Sequence, residues 1–420
     1  MEKFIVQHCA PLRGTVRISG AKNAALPILA ACLLTREPCL IQNVPPLTDI
    51  FAMIALLEGF GAKASFDTSA QTVSVRAETL SAPSASYDAA GKMRASFLAA
   101  GPLLARLQSA SLPLPGGCQI GSRPIDLHLK GFSLMGVSSR QEHGIVDLWC
   151  KSLRGKPIYL DFPSVGATEN IMMAAVLAKG TTIIENAAAE PEIMDLADFL
   201  RKMGADIQGD GTDTITIRGV KELTGATHTV IPDRIEAGTF MAAAAITGGE
   251  ICLEGMGEDL LKPVIAKLAE CNVKTETSPE GLVVCRKGRL RPANLKTMPF
   301  PGFPTDMQAP FMSLLTLAKG TSVITETIFE NRFIHAGELQ RMGARIKIES
   351  RSAVIEGVEE LTGASVRATD LRAGAALILS ALAAKGETEI SDIYHIERGY
   401  HQIDEKLRRL GADIRRAQSS

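Results

Sequence analysis

The stretch PLPGGCQIGSRPIDLH, residues 113–128, sets one thiol, Cys118, among Gly116, Gly117 and Gly121, with a guanidinium following at Arg123. A thiol near a cation ionises more readily than a free one, so Cys118 is a candidate nucleophile or proton donor near neutral pH. No second cysteine lies close enough in sequence for a metal clip or a redox pair. A cysteine-phosphatase loop needs one more residue between thiol and arginine than the four present here. The glycines suit a loop that swings over a bound ligand and excludes water. A second set of polar residues opens six Ala-rich apolar segments: Lys22 with Asn23, Arg94, Thr168 with Glu169, Asp233 with Arg234, Asp306, and Arg372. A helix start offers free N–H groups and the positive end of the dipole, and added Lys or Arg strengthens its preference for anions. The chemistry that fits these residues is binding and activation of anionic substrates.

Those six segments are AKNAALPILAACLL, KMRASFLAAGPLLARL, GATENIMMAAVLAKG, DRIEAGTFMAAAAITGG, PTDMQAPFMSLLTLAKG and DLRAGAALILSALAAKG. They are apolar nearly all round, as buried helices are. Four end in glycine, at Gly180, Gly248, Gly320 and Gly386, before strand-like stretches such as TTIIENA and TSVITET. Between them recurs a motif of the form L-x-x-M-G-A-x-I, with its turn residue at Gly61, Gly136, Gly204, Asn272, Gly343 and Gly411, spaced by 75, 68, 68, 71 and 68 residues. Gly or Asn there suits a left-handed helix cap running into a strand. The chain is therefore expected to hold six similar units, each with two helices and several strands, three units to a globule. The polar helix starts are expected to line a cleft between the globules.

The remaining features bound the function. The chain has 420 residues, 46% of them hydrophobic, and a net charge of −1, which argues against a general nucleic-acid binder. The longest apolar run, Ala24–Leu34, is 11 residues, too short to span a bilayer. The start MEKFIVQHCAPLRG lacks the apolar core of a signal peptide, so a cytoplasmic location is expected. Cys9, Cys32, Cys39, Cys150, Cys252, Cys271 and Cys285 form no C-x-x-C pair and read as reduced thiols packed as small hydrophobes. The seven histidines show no ligand spacing, so no metal site and no cofactor are expected.

The motifs SGAKNAALPILAA, MRAS, PGGCQIGSRPIDLH, PSVGATENIMMAA, ENAAAEPEIMDLADFLRKMGADI, IPDRIEAGTF, FPTDMQAP, IFENRF, ATDLRAGAAL and YHIERGY run in order along the whole chain. Together they resemble the UDP-N-acetylglucosamine 1-carboxyvinyltransferases of the enolpyruvyl transferase family. The resemblance implies an α/β fold called an inside-out α/β barrel, built from two domains of three repeated units. It puts residues 22–230, with the Cys loop, in one domain, and residues 1–21 with 231–420, carrying Asp306, in the other. It implies transfer of the enolpyruvyl group of phosphoenolpyruvate to the 3-hydroxyl of UDP-N-acetylglucosamine with release of phosphate, the first committed step of peptidoglycan synthesis. Cell-wall biogenesis, cell shape and cell division would depend on such a step.

By the same resemblance, Lys22, Arg123 and Arg398 match positions that hold phosphoenolpyruvate, and Asn23 one that bonds substrate and intermediate. Arg94, Arg123, Pro124, Ile125, Asp126, Leu127, Ser164, Val165, Gly166, Asp306 and Ile328 match contacts to the UDP-sugar, with Arg332 and Arg372 near them. Asp306 matches the base for the sugar hydroxyl, and Cys118 the acid toward the methylene carbon. Two departures are visible: some members carry lysines where this chain has Thr48 and the Phe162–Pro163 pair. The rival readings are a sister enzyme acting on shikimate 3-phosphate and a non-catalytic paralogue that binds a UDP-sugar. SGAKNAALP fits the first poorly, and a mere sensor would need no acid such as Cys118.

Overall fold

Gly61, Gly136, Gly204, Asn272, Gly343 and Gly411 all take a positive φ, between 67° and 103°. In five of these places the full helix-ending hydrogen-bond pair forms; at the third, Gly204 N–H donates to the Arg201 carbonyl and Ala205 N–H to that of Leu200. Asn272 keeps the inner bond, to Ala269. A strand follows each: Lys63–Asp67, Ser138–Glu142, Asp206–Gln208, Val273–Ser278, Arg345–Glu349 and Ile414–Gln418. The repeat read from the sequence is thus a repeat of structure. This is a computed structural model that describes residues 2–81, 94–114 and 125–418, of residues 94 and 95 only the backbone. Cys118, Arg123 and Pro124, and the side chain of Arg94, lie outside the described residues.

Among the described residues there are six separate sheets. Five have four strands in one order: a short strand parallel to the second, then two antiparallel neighbours. In one of them Leu295–Lys296 runs parallel to Thr321–Thr325, which pairs antiparallel with Ser352–Glu356, which pairs with Arg345–Glu349. The sixth sheet has the three strands Ser109–Pro113, Ile145–Trp149 and Ser138–Glu142.

The Ala-rich segments are the buried helices that the sheets cover: Lys22–Ala31, Ala100–Leu107, Val165–Ala175, Arg234–Thr247, Gln308–Leu315 and Leu371–Ala383. In Arg234–Thr247 every residue from Ile235 to Ile246 is buried. The fold is thus mixed α/β, with helices inside and small separate sheets outside in each unit. Of the four glycines expected to end these helices, only Gly248 is a helix cap, at φ 74°. The helix Val165–Ala175 stops four residues short of Gly180, and Gly180, Gly320 and Gly386 use their positive φ to turn into the next strand.

The described residues divide into two compact units, one of residues 20–81, 94–114 and 125–231 and the other of 2–19 with 232–418. Each holds three sheets and three of the buried helices, and each has its own apolar core. In the second unit the three buried helices touch one another pairwise. Both units are closed by chain remote in sequence. Thr227–Thr229 lies parallel to Pro38–Gln42, and the N-terminal strand Glu2–Gln7 sits between Glu387–Ser391 and Ile414–Gln418.

Gly204 tests the repeat. A methyl there would meet nothing within 4 Å, so the cost of Gly204→Ala comes from its φ of 103° alone. Equilibrium denaturation should show a loss of about 1–2 kcal/mol. Gly204→Asn should lose less, because Asn already serves at the equivalent position 272.

Candidate active site

In the unit of residues 2–19 and 232–418, the starts of all three buried helices converge. Asp306 lies in the turn Thr305–Met307 that leads into Gln308–Leu315, and Arg372 is in the first turn of Leu371–Ala383. Arg372 donates to Asp306 Oδ2 from Nε at 3.2 Å and from Nη2 at 3.0 Å. Arg332 Nη2 donates to Asp306 Oδ1 at 2.8 Å. Both arginine side chains are 3% exposed, whereas Asp306 keeps 27% of its surface open. Burial raises the Asp306 carboxyl, but the charges and hydrogen bonds of Arg372 and Arg332 outweigh it and hold the group well below the usual carboxylate range.

Tyr400 supports Arg372 from the other side. It is fully buried, and its ring lies under the guanidinium, 5.2 Å from centroid to Cζ. The Thr239 hydroxyl donates to the Ile235 carbonyl at 2.8 Å, so at the 2.9 Å contact between Thr239 and Tyr400 the phenol is the donor. Its lone pairs are thereby left for Arg372. Burial opposes the charge on Arg372, while Tyr400, Asp306 and Asp233 favour it and keep the group charged. Asp233 caps Arg234–Thr247, accepting from Ile235 N–H at 2.8 Å and Glu236 N–H at 3.1 Å. Asp370 caps the Arg372 helix in the same way.

Two further site residues lie in this unit. Ile328 is half-buried, and its N–H donates to Glu326 Oε1 at 2.7 Å. Arg398 is half-buried at the end of the helix Tyr394–Glu397.

In the unit of residues 20–231, Lys22 opens the helix Lys22–Ala31 and donates to Asp49 Oδ2 at 2.9 Å, with both side chains nearly buried. Asp49 stands in the first turn of Thr48–Gly59, where the helix dipole favours a carboxylate. Thr48, at the position where some relatives carry a lysine, is therefore next to a fixed anion. Asn23, one residue on from Lys22, is exposed.

Ile125 is buried just before the helix Asp126–Leu134, Asp126 is exposed, and Leu127 packs on the core. Ser164 caps Val165–Ala175 by accepting from Ala167 N–H at 3.4 Å, which puts Val165 and Gly166 in the first turn. Asn170 holds this region together. Its Oδ1 accepts from Gly101 N–H at 2.7 Å, and its Nδ2 donates to the Phe97 carbonyl at 2.8 Å and to His128 Nδ1 at 3.0 Å. The first two bonds fix which amide atom is which, so His128 accepts at Nδ1 and carries its proton on Nε2. Burial pushes His128 down to about 4, so the ring is neutral. A Cβ on Gly166 would meet that ring at 3.3 Å. Glu169 is raised well above its usual range by burial and by the nearby Glu192 and Glu190.

The structure thus gathers Asp306, Arg332 and Arg372 into direct contact, with Ile328 close by in the same unit. It places Lys22, Asn23, Ile125–Leu127 and Ser164–Gly166 in the other unit. Sequence reasoning missed Asp49, Tyr400, Asp370, Glu326 and Asn170. Asp49 and Asp370 had a local signal, an acidic residue directly ahead of an apolar helical run; the others had none. The other cysteines behave as core thiols where their burial is deep: burial pushes Cys9 up to about 11 and Cys271 to about 12. Cys39 is lowered by its hydrogen bond with Cys32, yet it is fully buried. Among the described residues no three His, Cys, Asp or Glu side chains gather as metal ligands would, and no helix is long and apolar enough to cross a membrane.

Residues 6–407 match the family described as EPSP synthase (3-phosphoshikimate 1-carboxyvinyltransferase). The chain is 59% identical over 99% of both chains to UDP-N-acetylglucosamine 1-carboxyvinyltransferase 1 of Caldanaerobacter subterraneus subsp. tengcongensis. It is 56% identical, again over 99% of both, to UDP-N-acetylglucosamine 1-carboxyvinyltransferase 2 of Carboxydothermus hydrogenoformans. The structure of the enolpyruvyl transferase NikO from Streptomyces tendae superposes with a TM-score of 0.89 at 28% identity, covering 100% of this chain and 99% of that one. EPSP synthase from Acinetobacter baumannii shares the fold, with a TM-score of 0.78 at 19% identity over all of both chains.

The Asp306 cluster has a pH signature. Its carboxyl is more acidic folded than unfolded, where it would titrate near about 3.9. Its stabilisation is therefore fully present above about pH 4 and is lost as pH falls toward the folded value. Asp306→Asn should cost roughly 2–3 kcal/mol at neutral pH, less than a fully buried pair because the carboxylate is partly open. The same variant should flatten the loss of stability below about pH 4, read by denaturation at a series of pH values.

Proposed function

This chain belongs to the enolpyruvyl transferase family, and we propose that it transfers the enolpyruvyl group of phosphoenolpyruvate to the 3-hydroxyl of UDP-N-acetylglucosamine, releasing phosphate. The observation that carries this reading is the end-to-end likeness to enzymes named for that reaction. The product would enter peptidoglycan synthesis, in the cytoplasm of a dividing cell.

Both substrates are anions, and the residues assigned to them are cations and donors. Lys22, Arg123 and Arg398 hold the phosphate and carboxylate of phosphoenolpyruvate, in the charge-assisted and bidentate geometries that suit those groups. Asn23 bonds the reacting centre. Arg94, Arg123–Leu127, Ser164–Gly166 and Ile328 receive the sugar nucleotide, with Arg332 and Arg372 behind Asp306. In the addition step the sugar hydroxyl oxygen bonds to C2 of phosphoenolpyruvate, its proton goes to Asp306, and Cys118 protonates the methylene carbon. In the elimination step the tetrahedral ketal loses phosphate from C2 and returns a proton from the new methyl group to the Cys118 thiolate, restoring the double bond, while the proton on Asp306 leaves with the phosphate.

The depressed pKa of Asp306 shapes its part in this. It is ionised at every working pH, but a carboxylate tied by three arginine N–H groups is a weak base. It gains basicity as the sugar hydroxyl takes over from an arginine N–H, so proton removal is coupled to correct seating of the sugar.

Phosphate release with phosphoenolpyruvate and UDP-N-acetylglucosamine, run beside shikimate 3-phosphate, tests the reading; turnover with the shikimate ester alone would overturn it. Asp306→Ala should abolish turnover while sugar-nucleotide binding stays measurable. Arg398→Ala should weaken phosphoenolpyruvate use far more than sugar-nucleotide binding. Fosfomycin, an epoxide phosphonate, should alkylate Cys118 faster when the sugar nucleotide is present. Cys118→Asp should keep activity and resist the inhibitor, since a carboxylic acid donates a proton but is a poor nucleophile toward the epoxide. An adduct on another cysteine, found by mass spectrometry, would refute the role of Cys118.

A further inference from the structure

Five strands that follow a buried helix or its equivalent occupy the same place in their four-stranded sheets: Pro38–Gln42, Thr181–Glu185, Glu250–Glu254, Thr321–Thr325 and Glu387–Ser391. The next residue in four of them is Asn43, Asn186, Gly255 or Asp392, with φ of 58°, 53°, 77° and 57°. These are ordinary left-handed turns. The fifth is Glu326, a residue type that rarely enters such a turn, and it has no positive φ. A repeat that breaks its own local rule at one copy points to a function there.

Glu326 is 1% exposed, and its carboxylate accepts four hydrogen bonds with no cation among them. Oε1 takes the Thr297 hydroxyl at 2.8 Å, Ile328 N–H at 2.7 Å and Phe329 N–H at 3.1 Å. Oε2 takes the Thr305 hydroxyl at 2.8 Å. Its own N–H is held by the Arg351 carbonyl at 2.8 Å, so the backbone under the carboxylate is anchored to a neighbouring segment. Thr305 directly precedes Asp306, and the 326–329 turn leads to Arg332, which grips Asp306 from the other side. The contacts form a closed ring: Glu326, Thr305, Asp306, Arg332 and the 326–329 turn.

We propose that Glu326 is a positioning residue for the transfer reaction, setting at once the turn that carries Asp306 and the turn that presents Ile328 to the sugar nucleotide. It rests on the enolpyruvyl-transfer reading above. Glu326 touches neither substrate; it acts through Thr305 on one side and through the backbone of Ile328 on the other. No group assigned to phosphoenolpyruvate is among its partners.

The test is kinetics on three variants of the whole protein. Glu326→Ala leaves two hydroxyls and two backbone N–H groups without their acceptor; kcat should fall about 10- to 100-fold, as misplacement by about an ångström does. KM for UDP-N-acetylglucosamine should rise several-fold, and KM for phosphoenolpyruvate should stay the same. Glu326→Gln keeps an acceptor for Ile328 and Phe329 and can donate to Thr305, so it should restore most of kcat. Thr305→Val cuts only the Asp306 arm; kcat should fall about tenfold with both KM values unchanged.

A silent Thr305→Val, or a Glu326→Ala in which both KM values and thermal stability change together, overturns the proposal. Amide hydrogen exchange gives a readout that needs no turnover. Protection should drop at Thr305–Gln308 and Ile328–Arg332 in Glu326→Ala and hold elsewhere in that sheet, and unchanged exchange there also overturns it. A wild-type protein inactive with both substrates would sink the functional reading and leave the exchange result to decide on Glu326.

Discussion

Two arginines that are almost wholly buried cannot stay charged in a protein interior without an anion beside them, and Asp306 is that anion. The constraint works outward from this contact. Arg372 must come from a helix start, because only there can its backbone be capped by Asp370 while its side chain reaches Asp306. Its far face must be covered by something that tolerates a cation, and Tyr400 supplies a ring and an oxygen, itself fixed through Thr239 to the Arg234–Thr247 helix. All three central helices of this unit are therefore keyed to one carboxylate. The apolar core settles that the helices pack; the ion cluster settles how far along their axes they sit.

The other unit answers a similar demand with a different device. Lys22 and Asp49 form one compact pair at two helix starts, Asp195 bonds the buried His228, and the Asn170 amide ties the Phe97 carbonyl, Gly101 and His128 together. The close approach of Gly101 to Asn170, where a Cβ would come within 2.3 Å of the Asn170 carbonyl oxygen, leaves room for nothing larger than glycine.

Much of this was legible in the sequence, and the reason is periodicity. A left-handed cap residue every 68 to 75 positions and six segments without a polar face leave few folds open, and both signals are local. Asp306 and Arg372 stood out because they occupy the same register in two repeats. What stayed hidden was partnership. Tyr400 is an aromatic near the end of the chain, and nothing in its neighbours says that it lies under Arg372. Glu326 sits between two threonines in a strand-like run, where a carboxylate reads as solvent-facing until the four donors around it are seen. The helix ends at Gly180, Gly320 and Gly386 were misread for a related reason: a positive φ is demanded by the turn into the next strand as much as by the helix.

The strand Glu2–Gln7 has a consequence for the way this chain is made. It is made long before both of its neighbours, Glu387–Ser391 and Ile414–Gln418. The unit of residues 20–231 has all its strands in hand once Thr227–Thr229 emerges, so it can fold while the remainder is still being translated. The other unit waits for Glu387–Ser391 and Ile414–Gln418, with Glu2–Gln7 unpaired until they are made. An unpaired strand with three consecutive apolar residues, Phe4, Ile5 and Val6, is the part of a nascent chain that a wrong partner captures most easily.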